Sequence, residues 1–315
     1  MRGLAGIAVF CAVAAAVPLF VRSGYWLNEM VMILYAALLG QAWNILGGFG
    51  GQFSFGHALF FGTGAYAMAG FQIKLGWNAW AALPVALSAG SLVGLFVGAL
   101  SFRYGLRGSY FALVTLAFAE VFRILANTFE FTGAGVGLML PLEQGWAALQ
   151  FPTRAGFLRA ALVCVAVGLL VSWWLEHSRY GAWLQAVRDN EPSAAALGVH
   201  VRSVKLRAMT ISAALMAAGG AFYVQYLHYI DPHIAYGPAV SVEALLAPIV
   251  GGMGTVWGPL FGAAALHLLG EATRGVVGDQ PGANLAIYGT VLILMVMFLP
   301  RGLVGFVERL RRGQQ

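Results

Sequence analysis

Long apolar stretches recur along the whole chain, and they constrain its fold more than any other feature. A helix needs about 20 mostly apolar residues to cross a hydrocarbon core about 30 Å thick. Such stretches, among them 79–101 and 156–175, follow one another with no long soluble segment between them. Charged residues make up 10% of the chain, compared with about 25% in a soluble domain, and the mean hydropathy is +0.79. The sequence therefore predicts an all-α polytopic membrane protein in which residues 1–315 form a single transmembrane domain.

About ten of these stretches are predicted to be membrane spans. Two of them, 237–251 and 255–272, could instead form one re-entrant hairpin, which would leave eight spans. The first stretch resembles a signal peptide because Arg2 precedes an apolar run, but no clear cleavage site follows, so we expect a retained span. The predicted spans are 3–21, 28–46, 53–73, 79–101, 109–127, 156–175, 206–230, 237–251, 255–272 and 284–300.

The connections between the spans predict the orientation, because Lys and Arg favour the cytoplasmic side of a membrane protein. With both termini in the cytoplasm, twelve basic residues lie inside and five lie outside. The inverse arrangement is therefore disfavoured. The twelve are Arg2, Arg103, Arg107, Arg179, Arg188, Arg202, Lys205, Arg207, Arg301, Arg309, Arg311 and Arg312, and the five are Arg22, Lys74, Arg154, Arg159 and Arg274.

One polar segment, residues 176–207, interrupts the apolar pattern, and we call it the island. Trp183, Leu184 and Val187 would share one helical face, residues 190–192 are typical of a break and restart, and Gly198 is typical of a stop. We predict two short helices that lie at the membrane surface and dock a soluble partner. On charge alone, a solvated basic loop that only orients the protein is the favoured alternative.

Two segments are too rich in glycine and proline for regular membrane helices. Residues 47–64 contain seven glycines, and residues 248–259 contain four glycines and two prolines. Glycine at this density weakens a helix and lets backbones approach closely, and broken helices near a transport path have the same composition. Close packing or a tight surface turn would explain the composition equally well.

The first glycine-rich segment also carries a family pattern. Gly51-Gln52-Phe53-Ser54-Phe55-Gly56-His57, followed by Gly62 to Tyr66, resembles the GQ-x-S-x-GH…GxGAY pattern of permeases of branched-chain amino acid ABC importers, specifically the LivM-type subunit. Three further stretches are similar to the same family: the end of the island with the helix after it, GGMGTVWGPLFGA, and LPRGLVG. The resemblance as a whole covers most of residues 35–305.

This resemblance implies the ABC importer permease fold, with some helices broken, and a role in ATP-driven import of branched-chain or similar apolar amino acids across the bacterial cytoplasmic (inner) membrane. It implies a second, homologous permease subunit of the LivH type, two cytoplasmic ATPase subunits, a periplasmic or extracellular amino-acid-binding protein and membrane lipid, and no nucleic acid. The chain has no G-x-x-x-x-G-K-[ST] phosphate loop. We therefore expect that it is not an enzyme, that it binds no cofactor, and that ATP and Mg²⁺ bind to the partner ATPases.

The resemblance also implies the coupling residues, and the sequence suggests candidates for the path. Glu191, Ala194, Ala195 and Gly198 correspond to the EAA…G core of importer coupling loops, and Arg188 lies just before them. An apolar face of the island would fill a cleft on the ATPase, with arginines and acids at its rim. The path candidates are Gln41, Gly51, Gln52, Ser54, Gly56 and His57, whose polar groups could equally satisfy the backbone of a broken helix.

Other polar residues have simpler explanations. Glu120 and Arg123, three residues apart in one span, are predicted to form a structural ion pair. His228, Asp231 and His233 are predicted to form an ordinary polar connection and not a metal site, since no fourth ligand follows at a suitable spacing. The sequence predicts no catalytic residue and no metal.

Two functional alternatives stay open at this point. A urea or short-amide ABC importer permease has closely similar motifs. A stand-alone channel or ion-coupled carrier would have the same composition but no neighbouring genes for ATPases and a secreted binding protein.

Overall fold

The computed structural model describes residues 2–143, 145–277, 289–290, 293, 297 and 302–305, and helices dominate this part of the chain. Six of the helices are long and apolar enough to cross a membrane, which confirms the all-α polytopic fold. These six are α1, α2, α4, α5, α6 and α9. The helices are α1 (Arg2–Phe20), α2 (Gly24–Asn44), α3 (His57–Leu75), α4 (Ala79–Arg103), α5 (Gly108–Thr128), α6 (Arg154–His177), α7 (Arg179–Asp189), α8 (Glu191–Ala196), α9 (Val201–Leu227), α10 (Pro232–Tyr236), α11 (Pro238–Gly251) and α12 (Gly258–Val277).

Nine of the predicted spans coincide with α1 to α6, α9, α11 and α12, while most of the tenth, 284–300, lies outside the described residues. α11 has 14 residues and is about 21 Å long, too short to cross about 30 Å of hydrocarbon alone. The chain makes this crossing with two short helices, α10 and α11. Because the turn after α11 reaches the end of the bundle where the island lies, α11 and α12 form two separate crossings and not a shallow re-entrant hairpin.

Contacts between connections define two ends of the bundle. Arg188 of α7 contacts Gly48 and Gly254, so the island, the end of α2 and the turn after α11 lie at one end, which we call the island end. At the opposite end, which we call the far end, Leu138–Met139 (β1) pairs antiparallel with Tyr229–Ile230 (β2).

Both ends of the described chain lie at the island end. Gly3 packs beside Trp173 near the end of α6, and Gly302 packs against Gly252 in the turn after α11. An even number of crossings therefore separates the island from residue 302, as the shared basic character of the island and the C-terminal tail predicts.

α2 forms the centre of the bundle, because it is buried from Tyr35 onward and packs against α6, α9, α11 and α12. Small residues let the surrounding helices approach closely. A Cβ atom at Gly64 of α3 would lie 2.4 Å from the Ala217 carbonyl oxygen of α9, and one at Gly94 of α4 would lie 2.4 Å from the Ala213 Cβ. α3 and α4 thus pack directly on the backbone of α9.

Candidate functional site

The first glycine-rich segment is a break in a membrane crossing. α2 continues into a π-helical turn, Ile45–Phe49, and residues 50–56 are irregular until α3 begins at His57. His57 Nε2 lies 2.9 Å from Ser212 Oγ, and Ser212 is about 16 Å along α9 from the island end. α3 therefore begins deep inside the bundle, and residues 50–56 connect that depth to the island end.

Side chains alternate between inside and outside along this irregular segment. Gln52 and Ser54 are buried, whereas Phe53 and Phe55 are 42% and 43% exposed. Trp43 Nε1 donates a hydrogen bond of 2.8 Å to the Ser54 carbonyl, which holds the segment against α2. A two-residue period is that of an extended chain, so the two aromatic rings share the outward side.

Most of the predicted path residues point into the protein. Gln41 is completely buried, and Gly168 of α6 packs against its amide. Gly51 is partly exposed, whereas Gly56 is buried so closely against α5 that a Cβ atom there would lie 2.1 Å from the Thr115 carbonyl oxygen. The surface of the chain at the break is therefore formed by Phe53 and Phe55, which are not among the path residues predicted from the sequence.

His57 is held in one tautomer by a chain of hydrogen bonds. Ser212 Oγ donates to the Ala42 carbonyl at 2.6 Å, so it accepts from His57 Nε2–H at 2.9 Å. His57 Nδ1 then accepts from Ser54 Oγ at 3.2 Å, and Ser54 Oγ accepts from the Gly56 amide at 3.2 Å. This neutral imidazole joins the break to α2 and α9.

The starts of α3 and α11 meet inside the bundle. Ser241 Oγ, in the first turn of α11, accepts a hydrogen bond of 2.8 Å from the Ala58 amide at the start of α3. Tyr236 of α10 stacks on Tyr66 of α3, with ring centroids 5.8 Å apart. The crossing that contains α3 and the crossing made by α10 and α11 therefore each have a helix N-terminus inside the bundle at the same depth. The Ser241 hydroxyl joins these two N-termini.

The second glycine-rich segment is a tight turn that Asn44 holds. Asn44 Nδ2 donates to the Thr255 carbonyl at 3.0 Å, and Asn44 Oδ1 accepts from the Gly254 amide at 2.8 Å. The helices on either side of the turn touch through glycine, because a Cβ atom at Gly262 of α12 would lie 1.8 Å from the Ala247 carbonyl oxygen of α11. In contrast to the irregular residues 50–56, this segment forms a tight turn between two closely packed helices.

α7 of the island packs beneath the bundle. Leu184 and Val187 are buried, and the Leu184 side chain lies beside Gly50 at the first break. Tyr180 Oη donates to the Val204 carbonyl at 2.8 Å, and burial raises the pKa of Tyr180, which keeps this hydroxyl a donor. The two short helices, α7 and α8, and the interruption between them are as the sequence predicts. Most of the apolar face that was expected to bind a partner packs instead against the rest of this chain.

Arg188 contacts both glycine-rich segments at once. Its Nη1 donates to the Gly48 carbonyl at 3.0 Å. A Cβ atom at Gly51 would lie 2.5 Å from Arg188 Cγ, and one at Gly254 would lie 3.0 Å from Arg188 Nη1. A single guanidinium and its stem thus lie between the two glycine-rich segments, at positions where φ is +64° (Gly51) and +73° (Gly254) and the backbone favours glycine.

Glu191 ties α8 to the bundle. Asn190 caps the helix by accepting from the Ser193 amide at 3.0 Å, and Glu191 is its first residue. The Glu191 carboxylate pairs with Lys205 of α9, which is buried, and lies 2.9 Å from Arg107 Nε in the α4–α5 connection. Glu191 therefore contacts this chain, in contrast to the expected position at the rim of a partner.

The remaining coupling residues divide between core and surface. Ala194 is buried, whereas Ala195 and Gly198 are exposed. Gly198 has φ +85°, the left-handed conformation that its role as a stop predicts. The large apolar side chains that stay exposed on the island are Trp183 and Leu197, at 46% and 84%.

An ion pair lies on the exposed side of α5. Arg123 Nε donates to Glu120 Oε2 at 2.8 Å, which confirms the predicted pair. Arg123 Nη1 also lies 3.3 Å from His233 Nδ1 of α10. Asp231 accepts from the His233 and Ile234 amides and so caps α10, as expected of an ordinary polar connection.

Residues 25–296 match the family described as branched-chain amino acid transport system, permease component. The chain belongs to this family. The resemblance seen in the sequence is thereby confirmed, and the protein is a multi-pass membrane permease subunit of an ABC importer. Its relatives are transport permeases, in agreement with the expectation that it is not an enzyme.

Similarity to individual permeases of the family extends over most of the chain. It is 28% identical to the high-affinity branched-chain amino acid transport system permease protein LivM of Salmonella typhimurium (strain LT2), over 96% of this chain and 76% of that protein. It is 29% identical to LivM of Escherichia coli (strain K12), over 92% of this chain and 72% of that protein. The autoinducer 2 import system permease protein LsrC of Salmonella paratyphi B is 26% identical, over 75% of this chain and 68% of that protein.

Proposed function

We propose that this permease is the LivM-type half of an importer for branched-chain or similar apolar amino acids. Similarity to LivM over almost the whole chain carries the proposal, because the similarity to the autoinducer 2 permease covers less of it. The other half of the path is a homologous LivH-type permease. A binding protein delivers the amino acid at the far end, and two ATPases bind ATP and Mg²⁺ at the island end.

The orientation follows from the basic residues. The island and the connection that contains Arg107 lie at one end of the bundle, which most of the lysines and arginines among the described residues share. This end is cytoplasmic, and residues 1–315 act as one transmembrane domain with both termini inside. A reporter fused after Gln315 is expected in the cytoplasm, and one inserted near Gln144 outside. Finding both on the same side would contradict the orientation.

The path runs along the side of the molecule formed by the first break and α5. Irregular backbone does not face lipid at membrane depth, but it is stable where it faces protein or a water-filled cavity. Residues 50–56 form such an irregular segment, on which the side chains of Phe53 and Phe55 are exposed, and Gly56 packs the segment against α5. The Glu120–Arg123 pair on α5 also disfavours a lipid-facing side, since charges within a membrane face the bundle interior or water.

Cysteine accessibility tests this path. In a cysteine-free background, Phe53→Cys and Phe55→Cys should react with a membrane-impermeant maleimide in the assembled importer, and substrate should change the rate. Ser54→Cys lies between them, is buried, and serves as the matched control. Equal reactivity at all three positions, or none at any, would mean that the path lies elsewhere.

Coupling passes from α7 to the two glycine-rich segments through Arg188. The apolar residues Trp183 and Leu197 stay exposed on the island and fit a hydrophobic cleft on an ATPase. Movement of α7 on ATP binding would displace Arg188, which contacts Gly48, Gly51 and Gly254. The ATPases thus act on both broken crossings through one side chain.

The test is leucine uptake and ATP hydrolysis by the complex reconstituted with the second permease, the ATPases and the binding protein. Leucine should stimulate hydrolysis and accumulate in the vesicles. Arg188→Lys keeps the charge but loses the hydrogen bond to Gly48, so uptake per ATP should fall about tenfold while ATPase copurification stays at the wild-type level. Arg179→Lys makes the same change on the same helix at an exposed position. Equal uptake per ATP in the two variants would show that Arg188 is not part of the coupling route. Uptake of another solute without leucine transport would contradict the proposed substrate class.

A further inference from the structure

A deep apolar groove separates α4 from α6, with α9 as its floor. Its volume is about 560 Å³. The walls are aliphatic, with Leu83 and Leu87 on α4, Val163 and Val167 on α6, and Ala218 on α9. The groove lies on the other side of α4 from the α5 face that we assign to the path.

The groove is polar only near the far end of the bundle. Gln225, near the end of α9, is 3% exposed, and neither its amide oxygen nor its amide nitrogen has a hydrogen-bond partner among the described residues. Arg159 of α6 also lines the groove, and its guanidinium forms no ion pair or hydrogen bond within the same part of the chain. Trp80 Nε1 donates to the Trp146 carbonyl at 2.7 Å and closes the groove at this end.

The distribution of polar groups matches the shape of a membrane lipid. Ala214 and Gln225 both line the groove, and they lie about 16 Å apart along α9. Over this length the walls offer apolar contact only, which suits an acyl chain. The unpaired amide and guanidinium lie where the ester and phosphate groups of a lipid in the far-end leaflet would be, and leaving a buried amide unpaired is unfavourable.

We infer that this groove binds one phospholipid of the far-end leaflet, with an acyl chain between α4 and α6, its phosphate at Arg159 and its ester oxygen at Gln225. Charge complementarity selects an anionic phospholipid, because the Arg159 guanidinium pairs with phosphate oxygens and has no anionic partner among the described residues. The site is independent of the transported solute. A helix of the partner permease is the competing occupant, and the following experiment separates the two.

The complex is purified, placed in nanodiscs of phosphatidylcholine with a minor fraction of phosphatidylglycerol, and analysed by native mass spectrometry after lipid release. One phosphatidylglycerol per copy of this permease should be retained. Arg159→Gln and Ala218→Leu should each lower retention about tenfold, the first by removing the charge and the second by filling the groove. Lys74→Gln and Ala117→Leu make the same changes at exposed positions outside the groove and should retain the lipid.

Two results would overturn the proposal. One is equal retention in all four variants, provided that each elutes as a monodisperse complex. The other is efficient cross-linking of Ala160→Cys to the partner permease, which would place a protein helix in the groove. Arg159→Gln is a surface change that leaves the core packing intact, so a failure of Ala218→Leu to fold does not remove the test.

Discussion

The two glycine-rich segments have similar compositions and opposite structures. In the first, residues 50–56 stay irregular at membrane depth and expose Phe53 and Phe55. In the second, the turn after α11 is held by Asn44, and the helices beside it touch through Gly251 and Gly262. Similar glycine content therefore accompanies irregular, partly exposed backbone in one place and a tight turn between closely packed helices in the other. The comparison suggests that changes in the second segment damage the fold, whereas changes in the first damage transport.

The largest expected effect is at Gly262 of α12, in the helix contact beside the second segment. Gly262→Ala would place a Cβ atom 1.8 Å from the Ala247 carbonyl oxygen, so α11 and α12 must separate. Overpacking of this kind costs about 1–3 kcal/mol or more. Gly270→Ala is the matched control on the same helix, because its Cβ would meet nothing within 4 Å. Thermal unfolding of the purified permease should show a large loss for Gly262→Ala alone, and equal midpoints would refute the packing role.

The next largest effect is on transport and concerns Gly51. Gly51 and Gly76 both have φ +64°, but only at Gly51 would an added Cβ atom meet another side chain, that of Arg188. Alanine in this conformation costs about 1–2 kcal/mol, so both variants should lose similar stability. Gly51→Ala should also displace Arg188 and lower uptake per ATP, whereas Gly76→Ala should not. Because Gly51 contacts the island, a bulkier residue there should also disturb ATPase docking.

Asn44→Ala tests whether the turn in the second segment depends on its hydrogen bonds to Asn44. The substitution removes two hydrogen bonds, to Gly254 and Thr255, each worth about 1 kcal/mol. The turn should become more accessible to hydrogen exchange, with a smaller loss of stability than for Gly262→Ala. Unchanged exchange at residues 252–255 would show that glycine packing alone holds the turn.

The smallest effect is expected at Gly198, which lies outside both segments. Its φ is +85°, and a Cβ atom there would meet nothing within 4 Å. Gly198→Val should weaken ATPase copurification modestly, through backbone strain of about 1–2 kcal/mol. Gly198→Asn should restore it because asparagine tolerates this conformation. If valine and asparagine behave alike, the turn is not part of the docking surface.

The sequence predicts the features that depend on local patterns. Apolar length locates nine of the crossings, and the i, i+3 spacing of Glu120 and Arg123 predicts their pair. The break between α7 and α8 and the positive φ of Gly198 follow from helix stop and start signals.

The sequence does not predict contacts between distant positions. Asn44 holds residues about 210 positions away, and nothing beside it in the sequence indicates that role. Glu191 turns toward Lys205 because a buried ammonium needs a carboxylate partner, which removes it from the rim. The alternation at residues 52–55 is visible in the sequence, but which side faces inward is set by Trp43 and His57 in the folded bundle.

Arg188, Gly48, Asn44 and Gly254 form a closed ring of contacts that joins one short helix to two crossings. Arg188 bonds to Gly48, Asn44 lies one helical turn before Gly48, Asn44 bonds to Gly254, and Gly254 packs on Arg188. A displacement of Arg188 would therefore be transmitted to both glycine-rich segments. On the proposed coupling route, one movement of α7 reaches both crossings at the same time.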